Sequence, residues 1–292
     1  MSFYFHELFA LPSLLPNRIF KVVNLNCSGS RVHIITYVVT PKFAFVLILH
    51  LNSYDLLLRF VLTNSVFMKR KENGTKRIKK PWPTKEAMEQ VYEMKLWGDN
   101  KSEFYSGLGS HDPEIVNPYI DVLTSFLTSF KSPLVLCDLG CGDFNVGKEL
   151  VKYTKTYIAV DIVPKLIARN KEKYKAENLE FHCLDIAVDD LPSGDCAILR
   201  QVLQHLSNAE VQSIVKKLND FKYVILTEHI AEGDFVPNKE IISGQGIRLT
   251  KQSGLDLSAP PFNFKVKEEK QLLSVNSNDC KGLIVTTFYE VF

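Results

Sequence analysis

From Pro133 onwards, short apolar runs alternate with stretches whose apolar residues recur at helical spacing. The runs are LVLCDL, TYIAVDI, NLEFHCLD, CAILRQ and KYVILTEH. Helical stretches fall between them at Val146 to Tyr153, Pro164 to Tyr174 and Ser207 to Leu218. Alternation of this kind predicts a parallel sheet with helices on both faces. The end of the chain differs. VKEEKQLLSV and GLIVTTFYEVF are strand-like and are joined by Asn276-Ser277-Asn278-Asp279, a hairpin signal. The last strand is therefore expected to run antiparallel to its neighbours.

Ahead of Pro133 the period is helical. Thr84 is placed to cap a helix reaching about Leu96, with Met88, Val91, Tyr92 and Leu96 on one face. FYSGLGSH, residues 104 to 111, reads as a Gly/Ser loop. Asp112-Pro113 then opens a second helix carrying Ile115, Tyr119, Val122, Phe126 and Phe130. Residues 84–132 are thus expected to form a helical cap on a domain spanning 133–292.

Composition changes near Met68. Residues 1–67 are aromatic and aliphatic, poor in acids and without a clean helical or strand period. Lys42, Asp55 and Arg59 interrupt them, so no uncharged run reaches the roughly 18 to 20 residues of a spanning helix. The first charges are Glu7 and a lone Arg18, and no small-residue cleavage site follows an apolar core. Three readings stand for this extension: a poorly specified segment, an interfacial membrane anchor in weak surface contact, or an extra packed element. The first is preferred, with Met68 as the natural start and residues 1–67 a start-site artefact. Residues 68–83 form a basic arm around KRKENGTKRIKK, read as solvated, with contact to phosphates or an anionic membrane as the alternative.

A net charge of +2 creates no global field for nucleic acid, which is not expected as a partner. Cys137, Cys141, Cys183 and Cys196 lie in or beside strand-like runs. They read as small buried thiols in a reducing compartment, which implies a cytoplasmic location. Cys137 and Cys141 lack CxxC spacing, and no metal is expected.

The stretch LCDLGCGDF carries the chemistry. Gly140 and Gly142 allow a sharp turn and close approach of a ligand to the backbone. A pyrophosphate loop, G-x-G-x-x-G, requires glycine where Asn145 stands. Asp138 and Asp143 would also repel a pyrophosphate. A ligand with a cationic centre fits better. DLGCGDFNVG resembles motif I of the class I S-adenosylmethionine-dependent methyltransferases, (D/E)-x-G-x-G-x-G, with Phe144 in place of the third glycine. The resemblance covers about Trp82 to Phe292 and is strongest from Leu134 to Glu228.

That resemblance implies a Rossmann-like α/β fold with S-adenosylmethionine as cofactor. Asp138, Gly140, Cys141 and Gly142 would form its loop. Asp161, with Ile162 beside it, would take the ribose hydroxyls, a cap before Pro164 being the structural alternative. Asp185 and Ile186 would meet the adenine, with Asp189 and Asp190 as loop acids. AILRQVLQHLSN matches the motif IV region: Arg200 and Gln201 would border the methionine end, and His205 would face the substrate mouth or serve as a core histidine. Glu228 and His229 end the fifth strand. Trp97, Tyr105, Gly107 and His111 would line the pocket, core packing being the alternative for the two large aromatics.

Methyl transfer is an in-line displacement in which the protein mainly aligns and desolvates. A base is needed only where the nucleophile carries a proton near neutral pH. Candidates are His111, His205, Glu228 and His229. The (N/D/S)-P-P-(Y/F) tetrad of nucleic-acid amino methyltransferases is replaced by Arg200-Gln201-Val202-Leu203. Asn117-Pro118-Tyr119 and Ala259-Pro260-Pro261-Phe262 are read as decoys. Residues 244–262 are expected to form a substrate lid, with Arg248 binding an anion. The expected function is methyl transfer to an O or N atom of a small-molecule acceptor. The alternatives are an RNA or protein methyltransferase, suggested by the basic arm, and a non-catalytic binding protein of the same fold. The glycine loop argues against an NAD-dependent oxidoreductase.

Overall fold

The computed structural model describes residues 82–99, 103–276 and 282–292, together with the backbone of four strands between residues 20 and 61. The chain divides into two units, Met1–Arg77 and Ile78–Phe292. In the first, β1 (Phe20–Cys27), β2 (Ser30–Thr40), β3 (Phe43–Asn52) and β4 (Asp55–Val61) pair in order as an antiparallel meander. These strands lie where the sequence has no clean period. Most of the basic arm falls outside the described residues. Among the described residues no helix is long and apolar enough to cross a membrane.

The second unit is α/β. Its strands are β5 (Val135–Leu139), β6 (Thr156–Asp161), β7 (Leu179–Cys183), β8 (Cys196–Arg200), β9 (Tyr223–Ile230), β10 (Glu268–Asn276) and β11 (Leu283–Glu290). They form one sheet in the order β10-β11-β9-β8-β5-β6-β7. β5 to β9 pair in parallel, whereas β11 runs antiparallel to both β9 and β10. The hairpin and its antiparallel strand are as the apolar pattern predicts; residues 277–281 of its turn lie outside the described residues.

Both faces of the sheet are covered, which explains the nearly continuous apolar runs. Cys137, Ala197 and Val224 meet Val211, Ile214 and Leu218 of α4 (Asn208–Leu218). On the opposite face, Leu136, Ile198 and Ile225 meet Tyr119, Leu123 and Leu127 of α2 (Pro113–Thr128) and Ile167 of α3 (Pro164–Lys173). α1 (Thr84–Glu93) packs Met88 and Tyr92 with Val163 and Leu166. Thr84 is its first residue, not its cap: Pro83 holds that place. The helix stops at Glu93, and Lys95 turns the chain with φ +52°.

Three further expectations are corrected. Val146 to Tyr153 forms two 3₁₀ turns, Gly147–Glu149 and Val151–Tyr153, instead of an α-helix. The buried positions there are spaced by three, Gly147 with Leu150 and Val151 with Thr154, which is the 3₁₀ period. Cys183 is exposed because β7 is an edge strand, whereas Cys137 and Cys196 are buried. The proposed lid is partly core: Leu255, Leu257 and Phe262 pack against the α4 face of the sheet.

Candidate active site

The carboxyl ends of the parallel strands open into one cleft of about 380 Å³. Asp138, Gly140, Cys141, Gly142, Asp161, Ile162, Asp185, Ile186, Arg200 and Gln201 all line it. Of the candidate bases, His205 and His229 line it and His111 and Glu228 do not. Trp97 and Gly107 face the cleft, and Tyr105 is outside its lining.

The glycine loop is built tightly. Gly140 has φ +97°, and a Cβ there would lie 2.3 Å from Val202 Cγ2. Phe144 is left-handed as well, at φ +64°, and fully buried. Its ring makes edge-to-face contacts with Tyr157, Tyr174 and Phe181 at 5.5, 5.2 and 4.9 Å. The residue standing for the third glycine therefore plugs the core beneath the loop.

Three acids stand at successive strand ends. Asp138 accepts from the Tyr157 hydroxyl at 2.8 Å, and burial pushes its carboxyl up to about 7. Asp161 accepts from the backbone N–H of Gly142 and of Val163, each at 3.0 Å. Burial still raises it to about 6 against those donors. Val163, not Asp161, is the cap of α3. Asp185 accepts from Ala187 N, and its own N–H is taken by Asp189, a loop acid.

Arg200 lies 5.0 Å over the Tyr119 ring. Its Nη1 donates to Ser110 Oγ and Gln201 Oε1, and its Nη2 donates to the Gly109 carbonyl. Its buried Nε has no hydrogen-bond partner among the described residues.

The loop of residues 104–111 roofs this end. Asp143 Oδ2 accepts from Ser106 N at 3.0 Å and from His111 Nε2 at 2.6 Å. Ser106 Oγ accepts from Asp143 N and contacts the Tyr92 hydroxyl. His111 is thereby committed to the roof.

The other end of the cleft is set by a 3₁₀ turn, Leu203–His205. His205 Nδ1 lies 3.2 Å from the Gly244 carbonyl, so Nδ1 carries the proton and Nε2 is the acceptor. Gln204 Nε2 donates to it at 3.3 Å, while Gln204 Oε1 accepts from His229 N. Burial pushes His205 down to about 4, which keeps the ring neutral near pH 7. Trp97 packs on it with ring centroids 5.1 Å apart. Leu206, Gln245 and Ile247, close in sequence to His205 and Gly244, also line the cleft.

Glu228 is turned away from the cleft: it accepts from Leu203 N and Gln204 N, and burial raises it to about 8. Arg248 is 1% exposed and donates to the Leu203, Gln204 and Leu206 carbonyls and to Asn208. Both of its Nη groups are taken by the protein and it does not line the cleft, so the expected anion site does not open there. Of the lid, Gln245 and Ile247 reach the cleft. The sequence reading missed Gln204 and Tyr157. Tyr157 sits in an apolar strand run and Gln204 in a short irregular turn, and neither setting carries a signal.

Residues 137–221 match the family model of a methyltransferase domain. No curated protein matches the chain in sequence. Among solved structures, the N-methyltransferase NodS of Bradyrhizobium japonicum WM9, in complex with S-adenosyl-L-homocysteine, is 13% identical with a TM-score of 0.50, covering 70% of this chain and 98% of that one. Magnesium protoporphyrin IX methyltransferase of Synechocystis PCC 6803 with bound S-adenosylmethionine is 16% identical over 72% of this chain and 98% of that one, at a TM-score of 0.47. Human N-acetylserotonin methyltransferase is 15% identical over 72% and 61%, at 0.42. Residues 137–221 are thus similar to a methyltransferase domain, and the seven-stranded unit shares the fold of the NodS structure.

Proposed function

We propose that this protein transfers a methyl group from S-adenosylmethionine to an oxygen or nitrogen atom of a small-molecule acceptor. The observation that carries the reading is the single cleft joining the glycine loop and its strand-end acids to the neutral His205 end. The residues fit the cofactor. Arg200 has a buried, unpartnered Nε suited to a carboxylate, and Asp138 is a buried acid suited to an ammonium group. Asp161 would take the ribose hydroxyls, and Asp185 and Ile186 the adenine. S-adenosylmethionine, when bound, supplies a methyl group activated by its sulfonium.

His205 Nε2 can accept a hydrogen bond from an acceptor hydroxyl or amine once Gln204 releases it. Trp97, Met88 and Ile247 exclude water from that end. Gln245 bridges to the Leu96 carbonyl at 3.0 Å, which narrows the mouth and favours a small acceptor. The free thiols at Cys137, Cys141, Cys183 and Cys196 support a reducing, cytoplasmic setting. We place the catalytic domain at residues 133–292 and its cap at 84–132, which together lie within the second unit.

Calorimetry on the full chain tests the cofactor assignment. S-adenosylmethionine should bind, NAD should not, and Asp161→Ala should lose the affinity. Binding of NAD instead would overturn it. Turnover against a panel of phenolic, amine and sugar acceptors then separates an enzyme from a binding protein.

A further inference from the structure

The Leu203–His205 turn places Gln204 and His205 in the cleft, yet it is three residues long and has no side-chain cap. Two buried side chains from distant segments hold it. Glu228, at the end of β9 and 2% exposed, accepts from Leu203 N and Gln204 N at 3.0 Å each. Arg248 donates Nη1 to the Leu203 carbonyl at 3.1 Å and Nη2 to the Leu206 carbonyl at 2.8 Å. The carboxyl group meets the N–H end of the turn and the guanidinium its carbonyl end. Burying polar groups is unfavourable unless they are hydrogen-bonded. Here both groups bring directional bonds.

Arg248 also belongs to the segment that partly closes the cleft. Gly244, four residues before it, donates its N–H to the His205 carbonyl at 3.0 Å and accepts from His205 Nδ1. Turn and lid are therefore joined at three points: Arg248 to the turn's carbonyls, and Gly244 to His205 twice.

We infer that Glu228 and Arg248 are positioning residues that clasp the Leu203–Leu206 turn between β9 and the lid, and so fix where Gln204 and His205 stand in the cleft. Glu228 is then no general base; it acts through the turn. The functional weight of this clasp rests on the reading that the His205 end receives the acceptor.

Amide hydrogen exchange and Trp97 fluorescence test the clasp on the full chain without any acceptor. In the wild-type protein the Leu203 and Gln204 amides should exchange as slowly as those of β8. In Glu228→Gln they should exchange at least about tenfold faster. The chain has two tryptophans, so Trp82→Phe leaves Trp97 as the reporter of the His205 ring. In that background Glu228→Gln should shift Trp97 emission and raise its quenching by acrylamide. Affinity for S-adenosylmethionine should stay within about twofold of wild type, a change too small to count as a lost contact.

Arg248→Lys keeps the charge and removes the fork, and should loosen the same amides. Rapid wild-type exchange at Leu203 and Gln204 would overturn the inference, as would a folded Glu228→Gln with unchanged exchange and Trp97 emission. If Glu228→Gln does not fold, wild-type exchange and Arg248→Lys decide. Failure of the wild type to bind S-adenosylmethionine would remove the methyltransferase reading and leave the exchange result standing.

Discussion

His111 and Asp143 meet across 32 positions of sequence, with Nε2 2.6 Å from Oδ2. The contact ties the roof loop to the glycine loop, and the same carboxyl oxygen also takes the Ser106 N–H. Asp143→Asn keeps the shape and loses the charge that both donors share. Charge-assisted bonds of this kind contribute about 1.5–3 kcal/mol. We expect S-adenosylmethionine affinity to fall by about tenfold or more, measured by calorimetry. An unchanged affinity would mean that the roof does not bear on the cofactor.

Asp138 gives the apoprotein an unusual pH response. Its folded value of about 7 lies above the roughly 3.9 of a free aspartate. Between those values the folded state keeps a proton that the unfolded state has lost, so stability falls as pH rises through that window. Asp138→Asn preserves an acceptor for the Tyr157 hydroxyl and removes the titration. Thermal unfolding of the apoprotein should show the variant more stable than wild type at pH 8, by at most about 4 kcal/mol, and equal to it near pH 4. A variant less stable at pH 8 would reject this account. The same variant should bind the cofactor more weakly.

Phe144→Gly restores the family's third glycine and should still destabilise the protein. It relieves a left-handed φ of +64°, a strain of about 1–3 kcal/mol. It also empties the space among Tyr157, Tyr174 and Phe181, which costs about 3–5 kcal/mol. Denaturant unfolding should register a net loss of about 2 kcal/mol.

Gly140→Ala should abolish cofactor binding, because its Cβ would meet Val202 Cγ2 at 2.3 Å and the φ of +97° excludes a side chain. Adding Val202→Ala removes the clash and leaves the backbone strain. The double variant should recover stability only in part, as read by thermal unfolding. Full recovery would show that the steric contact alone mattered.

The sheet was legible in the sequence because both of its faces are buried, so β5, β6, β8 and β9 read as unbroken apolar runs. The glycine-loop end of the cleft was legible for a related reason: Gly140, Asp161 and Asp185 sit at strand ends, where chain position alone fixes location. The His205 end was not. Arg248 looks like a lid cation until its Nη groups are found donating to carbonyls of the Leu203–Leu206 turn about 45 residues away. Glu228 looks like a base at a strand end until its oxygens are seen to accept from backbone. Such roles depend on contacts between distant segments, which no local period encodes. The 3₁₀ turns after the glycine loop misled because a three-residue repeat over eight residues is close to a helical one.

The placement of β11 bears on synthesis. It follows β10 in the chain and lies between β10 and β9 in the sheet. A chain made only as far as β10 carries a strand whose sheet neighbour does not yet exist. β9 meanwhile exposes an open edge for pairing with a stray strand. Completion of this sheet therefore waits for residues 283–290 to clear the exit tunnel. Chains stalled before Leu283 should be the aggregating and chaperone-bound fraction in a cell.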